Sequence, residues 1–522
     1  MATTYGTMSS QTASPIPSSA STTTVRDASP SGHKSTQDDA ERPSTDASPL
    51  LNTGHVEPDL GHGSEVGPSA SFWSCTINLA NTILGTGMLA MPGALATVGL
   101  LLGSFMIVFS ACASGLGLYF LTRSASKTQG RAASFFACSK LTYPSAAVWF
   151  DLAIAIKCFG VGISYLIIIG DLMPGVVRSL SMVAVAAAGG DGSGTVDPVW
   201  WFLEDRRFWI TIFMGIIGPL AFLKRLDSLK ATSALALSAV FYLVFIVVYY
   251  FSDPDLKLPP KDEIRYVRLS SDFFTTLPIF VFAFTCHQNI FSVYNELTDN
   301  GQSMLNRIIS TSIGSAVVVY HIIGVLGYLT FGNAVGSNII QMYDDGMLVT
   351  VGRIAIVVLV MFSFPLQCHP CRACLDKVLI AISAFWESTR FGKPSDPSQY
   401  SSLPGQSQDD DGTLASSEEL DDHGNPIVVQ SELKFIIMTL SILIGSYIIA
   451  ISVSELEVVL SLVGSTGSTA ISFILPGIFY WKLHAHLPWD ARKVLSVCLT
   501  FYGIMVMIIC LSANIRRIIH NS

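Results

Sequence analysis

Apolar residues in this chain come in blocks of about 20, each closed by a polar stretch, from Phe72 almost to the C-terminus. A helical block of that length covers roughly 30 Å of hydrocarbon at about 1.5 Å per residue. The pattern predicts eleven spans: Phe72–Gly99, Leu100–Thr122, Ala146–Pro174, Phe208–Leu223, Leu229–Phe251, Phe273–Tyr294, Ile308–Phe331, Met347–Leu366, Leu433–Val453, Val458–Trp481 and Val494–Ile515. Between them, Val176–Arg207 and Ser252–Ser271 read as long polar loops, with a Gly-rich stretch at Ala187–Pro198. Residues 1–68 are rich in Ser, Thr and Pro without an apolar core, which predicts a disordered tail and leaves insertion to the first span. The expected organisation is a cytosolic tail (1–68), spans one to eight (69–385), a disordered acidic cytosolic loop (386–430) and spans nine to eleven (431–518).

Composition sharpens this into an all-α polytopic membrane protein. Half the residues are hydrophobic and 13% are charged, against roughly 25% charged in soluble domains. The net charge of −8 says little about partners, because much of the acid sits in polar segments outside the blocks, as in Gln408–Asp422; the bilayer is the partner the blocks imply, and no nucleic acid is expected. None of the ten cysteines lies in the two long loops, which argues against a disulfide-stapled domain. Lys and Arg cluster in one set of short loops (Arg123, Lys127, Arg131, Lys140, Lys224, Arg225 and Lys230 among them), which places the N-terminus in the cytosol and the C-terminus in a lumen.

Two spans are interrupted. Span one carries Gly85-Thr86-Gly87 and then Pro92-Gly93; span six opens near Pro278 and is broken by Thr285, His287, Gln288 and Asn289. Lipid cannot satisfy freed backbone groups, so unwound chain at that depth has to line a cavity. The breaks lie five spans apart in corresponding places, the mark of an inverted-repeat transporter with its site between two discontinuous helices. Half-helix N-termini would face a carboxylate and C-termini a cation or ammonium, which suits a small zwitterion. Packing of small residues is the plainer account of either break alone. Gly85→Val is expected to abolish flux without preventing insertion.

At these residues the chain resembles the amino acid/auxin permease family, in the branch of sodium-coupled neutral amino acid transporters and fungal vacuolar amino acid transporters. The matching stretches are Asn78–Gly99, Gly162–Pro174, Phe282–Leu297 and Arg353–Arg372. The resemblance implies a LeuT-like fold, a 5+5 inverted repeat with helices one and six broken. It also implies substrate binding by backbone groups at Thr82, Ile83, Leu84, Gly85, Thr86 and Gly87, with Thr285 and His287 opposite. A sodium site in related carriers maps to Asn81 and Ser363, where Ser keeps the hydroxyl ligand. Fungal relatives are generally proton-driven, so Na+ and H+ both remain candidate coupling ions; no other cofactor or metal is expected.

Ionisable groups inside spans are costly and need a reason. Lys157, deep in span three, is a candidate proton carrier or a stand-in for a coupling cation, or else half of a structural pair with a carboxylate or a helix end. His287 is either a proton-coupling group or a cap on loose backbone. His321 reads as an interhelical hydrogen bonder, Glu455 and Glu457 as a solvated helix start, and Arg353 as an anchor at the end of span eight. Cys368-His369-Pro370-Cys371 with Cys374 lacks a second ligand pair for zinc and sits at the cytosolic end of span eight, where acylation is the better alternative.

No phosphate-cradling loop is present, which argues against an ATP-driven pump, and transport needs no covalent chemistry, so no enzyme is expected. Asp46 with Leu50 and Leu51 fits an acidic dileucine signal read by cytosolic sorting adaptors on cargo for vacuoles or lysosomes. The reading is a secondary carrier of neutral or acidic amino acids that works by alternating access at an organelle membrane, with export to the cytosol. An amino acid sensor and a plasma-membrane importer are the alternatives.

Overall fold

The computed structural model describes residues 70–128, 130–187, 198–223, 230–255, 259–260, 263–391 and 432–521. The N-terminal tail with Asp46, Leu50 and Leu51, most of the Gly-rich stretch and the acidic loop Pro394–Gln430 lie outside them. Among the described residues the only β-type pairing is an isolated bridge between Ala70 and Leu297; the rest is helix and connection. Among the described residues, nine helices are long and apolar enough to cross a membrane, and a bent pair makes a tenth if it is one span. The chain is an all-α polytopic membrane protein.

The bent pair is α1 (Phe72–Ile83) and α2 (Gly87–Val98), which meet at 50°. Ser71 caps α1 by accepting from the Ser74 amide at 3.3 Å. At the far end of α2 the chain reverses through Gly99 at φ +93° into α3 (Leu100–Ala125), a left-handed conformation glycine adopts without strain. A Cβ there would also lie 2.8 Å from the Tyr266 carbonyl. That closeness is used: Leu100 N–H donates to Arg265 O and Arg268 N–H to Val98 O, both at 2.8 Å, clipping the 265–268 segment over the turn.

A short α4 (Phe135–Thr142), unforeseen in its polar loop, precedes α5 (Ala147–Ala187). α5 passes through Pro174, the expected stop, and occupies the first part of the expected loop Val176–Arg207. α6 (Arg206–Ala221) and α7 (Lys230–Phe251) follow, then α8 (Phe273–Ala283), α9 (Ile290–Glu296) and α10 (Gln302–Phe331). α11 (Met347–Phe391) runs 45 residues, through Pro365 and Pro370, well past the expected end at Leu366 and beyond residue 386, where the acidic loop was to begin. Prolines are tolerated here because neighbouring helices can re-satisfy the freed backbone groups. α5 and α11 form the most extensive helix pair in the structure. α12 (Glu432–Ser452), α13 (Leu456–Val463), α14 (Leu475–Leu483) and α15 (Ala491–Asn521) complete the chain.

Several polar groups settle differently from expectation. Arg353 makes its anchor near the start of α11 while buried: it pairs with Asp345 and donates to Tyr343 O at 2.9 Å, and Arg178 of α5 reaches the same carboxylate at 3.1 Å. His321 bonds its own helix, at Val317 O (2.9 Å), rather than a neighbour. Glu455 and Glu457 do sit at a helix start, the N-cap and first turn of α13, with Glu455 exposed, and both pair with Arg517 as well. Cys368, Cys371 and Cys374 are buried inside α11, with Cys371 Sγ 3.5 Å from Ala155 O of α5, so these thiols are packed and not presented at a helix end.

The Asp345 clamp supports a prediction. Partial burial pushes this carboxyl up, but the hydrogen bonds and charges of Arg353 and Arg178 outweigh that and hold it below its ordinary value. A depressed carboxylate contributes its stabilisation above the ordinary value and loses it only as pH falls through the depressed one. Acidification from about pH 7 to about pH 5 should therefore leave the clamp closed, whereas Asp345→Asn should open it. Thiol labelling of a cysteine placed at the buried Ile340 is expected to rise several-fold in the variant and to stay level in the parent across that pH range.

Candidate functional site

Both predicted breaks are present. Span one loses helical order at Leu84, Gly85 and Thr86. In span six, α8 runs through Pro278 and stops at Ala283; Phe284–Cys286 are non-helical, His287–Asn289 make one 3₁₀ turn, and α9 resumes at Ile290. Thr285 and His287 thus lie within the gap between the half-helices.

The two breaks face each other and are tied together twice. Tyr320 of α10, fully buried, points its hydroxyl at the last carbonyls of both half-helices, Ile83 O at 2.6 Å and Ala283 O at 2.8 Å. One phenolic proton serves two acceptors at the negative ends of two helix dipoles. Separately, Asn289 Nδ2 donates to Thr82 Oγ1 at 2.7 Å, while that hydroxyl donates to Asn78 O at 3.0 Å. Gly87 lies against Ala283 so closely that a Cβ would stand 2.9 Å from its Cα. Gly85 is different: a Cβ there meets only Thr82 O, at 3.9 Å. The close approach of the two breaks therefore depends on Gly87, while the expectation for Gly85→Val concerns the unwound backbone and not packing.

Buried polar atoms without partners gather at the same place. Among the described residues, Asn81 Oδ1 and both amide atoms of Gln288 have no hydrogen-bond partner. Each such group costs about 1–3 kcal/mol unless water or a ligand satisfies it. Gln288 was legible as part of the polar run but had no assigned role. The candidate sodium ligands are not in hydrogen-bond contact: Ser363 Oγ donates to Leu359 O at 2.8 Å. α5 contacts the span-one break and Ser363 alike: its Ser164 meets Thr86 Oγ1 at 3.4 Å and its Tyr165 meets Ser363. Lys157 is buried and its ammonium reaches the amide of Gln367 on α11 at 3.3 Å, a neutral partner where a carboxylate or helix end was expected.

A third element was not read from the sequence. Span ten is not a regular helix: Gly464–Ser468 and Ala470–Ile474 are wound as π turns between α13 and α14. Such turns gather at functional sites. Two glycines let this segment touch backbone on two sides, since a Cβ on Gly464 would lie 2.1 Å from Pro278 O and one on Gly467 2.7 Å from Lys157 N. It also brings Ser472 to the span-six break, 3.2 Å from Thr285 Oγ1 and 3.1 Å from His287 Nδ1. The run GSTGST was the available signal: small and hydroxyl residues in mid-span.

Two discontinuous helices tied to each other, with buried unpartnered polar atoms on each, and a continuous helical scaffold define a membrane transporter of small solutes. Residues 68–516 match the family described as transmembrane amino acid transporter protein, and the chain belongs to that family. It is 42% identical over 463 residues to vacuolar amino acid transporter 5 of Schizosaccharomyces pombe, covering 86% of this chain and 96% of that protein. It is 38% identical over 467 residues to vacuolar amino acid transporter 6 of Saccharomyces cerevisiae, covering 86% of this chain and 99% of the relative. Solute carrier family 38 member 10 of Rattus norvegicus is 24% identical over 450 residues, covering 84% of this chain and 35% of that protein.

Proposed function

We propose that this protein is a secondary active carrier of neutral or acidic amino acids in a vacuolar or lysosomal membrane, exporting them to the cytosol on a proton or sodium gradient. The observation that carries the reading is the pair of facing breaks joined through Tyr320, with the unpartnered Asn81 and Gln288 beside them. Backbone groups of Thr82–Gly87, together with Thr285 and His287, hold the zwitterion. Asn81, Ser363, Lys157 and His287 are the groups for the coupling ion. Kinship with vacuolar amino acid transporters over 86% of the chain supports both the substrate class and the membrane.

The architecture proposed is eleven spans in a LeuT-like 5+5 repeat, with a cytosolic N-terminus and a luminal C-terminus. Support for the eleventh comes from α6, whose 16 residues reach only about 24 Å. Its start touches α12's end, Arg206 lying 3.4 Å from Val453 O, and its end, Ala221 O, receives Arg372, which also bonds Thr439 near the start of α12. Because α12 qualifies as a span, a helix matched to it end for end crosses with it. Sorting adaptors would read Asp46, Leu50 and Leu51 in the tail.

Radiolabelled amino acid flux into and out of purified vacuolar vesicles, under imposed pH and sodium gradients, tests this. Gradient-dependent flux above that of vesicles lacking the protein is expected. Absence of flux for every neutral and acidic amino acid under either gradient overturns the proposal. For the address, Leu50→Ala with Leu51→Ala should move the tagged protein away from the vacuole.

A further inference from the structure

We propose that His287 and Ser472 form the proton-binding site of the carrier, with Ser472 as the group that reorients when the proton arrives. This rests on the reading of the chain as an amino acid carrier and commits it to a proton as the coupling ion.

The donors and acceptors around the imidazole leave little freedom. Nε2 lies 3.2 Å from the carbonyl of Ser114 on α3, and a carbonyl only accepts, so Nε2 carries a hydrogen. Thr285 Oγ1 donates to Val281 O at 2.7 Å, so toward Ser472 it can only accept. The Ser472 hydroxyl thus has one hydrogen and two competing acceptors, Nδ1 of a neutral imidazole and Thr285 Oγ1.

With a neutral ring, the Ser472 hydrogen points at Nδ1 and the bond to Thr285 is forgone. With a protonated ring, Nδ1–H donates to Ser472, Ser472 to Thr285, and Thr285 to Val281 O. Every hydrogen then has an acceptor, and the chain ends in the last turn of α8, at the negative end of its dipole. The same atoms serve both states through rotation of one hydroxyl hydrogen, so the proton can bind and leave without repacking. Ser472 is delivered to this point by the π turns of span ten, which makes the proton's position visible to a helix outside the two breaks.

The ionisable group of another element that acts on the ring is Lys157 of α5, which reaches Gln367 of α11. On its own element the titratable neighbour is the Cys286 thiol; α3 offers the Ser114 carbonyl and the π segment a hydroxyl. Among the described residues, no carboxylate hydrogen-bonds to the imidazole.

The test is amino-acid flux and amino-acid-evoked proton movement in proteoliposomes with an internal pH dye, for the parent, Ser472→Ala and Ser472→Thr. Removing the hydroxyl strips the protonated ring of its acceptor, so the pH midpoint of flux in Ser472→Ala should move about one unit or more toward acid, the size of one charge-assisted hydrogen bond. Ser472→Thr should restore the parent midpoint. A parent-like midpoint in Ser472→Ala overturns the assignment, and so does equal loss of flux in the Ala and Thr variants, which would mark a packing position. Parent protein that moves amino acid without moving protons fails this inference alone, whereas parent protein that moves no amino acid fails the carrier reading.

Discussion

Gly464→Ala is expected to lower the melting temperature of the purified protein sharply and to remove transport. The new methyl carbon would stand 2.1 Å from the carbonyl oxygen of Pro278 and 2.7 Å from its carbon, distances that force one of two helix backbones to move. Overpacking in a dense core costs typically about 1–3 kcal/mol and occasionally more, and backbone, unlike a side-chain tip, has no alternative rotamer. The displaced parts are the π segment of span ten and α8, which together place Ser472, Thr285 and His287. Gly314→Ala supplies the contrast: that glycine is exposed in α10 and a Cβ there meets nothing within 4 Å, so only helix propensity changes, worth about 1 kcal/mol in its favour. Equal melting temperatures for the two variants, read by fluorescence-detected size exclusion after heating, would contradict the close approach of spans six and ten.

The breaks were legible because the chain advertises them: glycines around Thr86 weaken a helix locally, and four polar residues from Thr285 to Asn289 stand in an apolar run. Spans with ordinary composition were legible for the same local reason, to within a few residues. The lengths of α5 and α11 were not, because Pro174, Pro365 and Pro370 are stop signals in isolation and become tolerable only beside packed neighbours. The π turns escaped as well. Small residues at Gly464–Thr469 fit a regular helix equally well, and what selects the wider winding is contact with Pro278 and Ala153, far away in sequence. Partners of buried charge are likewise non-local: nothing near Lys157 in the chain names Gln367, 210 residues on. Local propensity marks where a span fails, while the groups that exploit the failure come from other spans.

Tyr320→Phe should cut flux at least tenfold at saturating substrate while leaving the protein inserted and folded. The substitution removes one oxygen and keeps the ring, which stacks edge-on against Phe284 at 5.1 Å. Ile83 O retains a donor, the Gly85 amide at 2.7 Å, but Ala283 O, the end of α8, loses its bond to the phenol. Leaving a buried acceptor unpaired costs about 1–3 kcal/mol, and the broken ends regain solvation only by shifting apart. If the phenol holds the two half-helices as one moving unit, the loss belongs in the maximal rate more than in apparent affinity, because substrate meets both breaks only when they are aligned. The Thr82–Asn289 bond is the other tie, so Thr82→Val combined with Tyr320→Phe should depart from additivity by about 1 kcal/mol or more in flux, as coupled neighbours do. Additive losses would mean that the breaks move independently, and α10 would then be scaffold rather than the link between them.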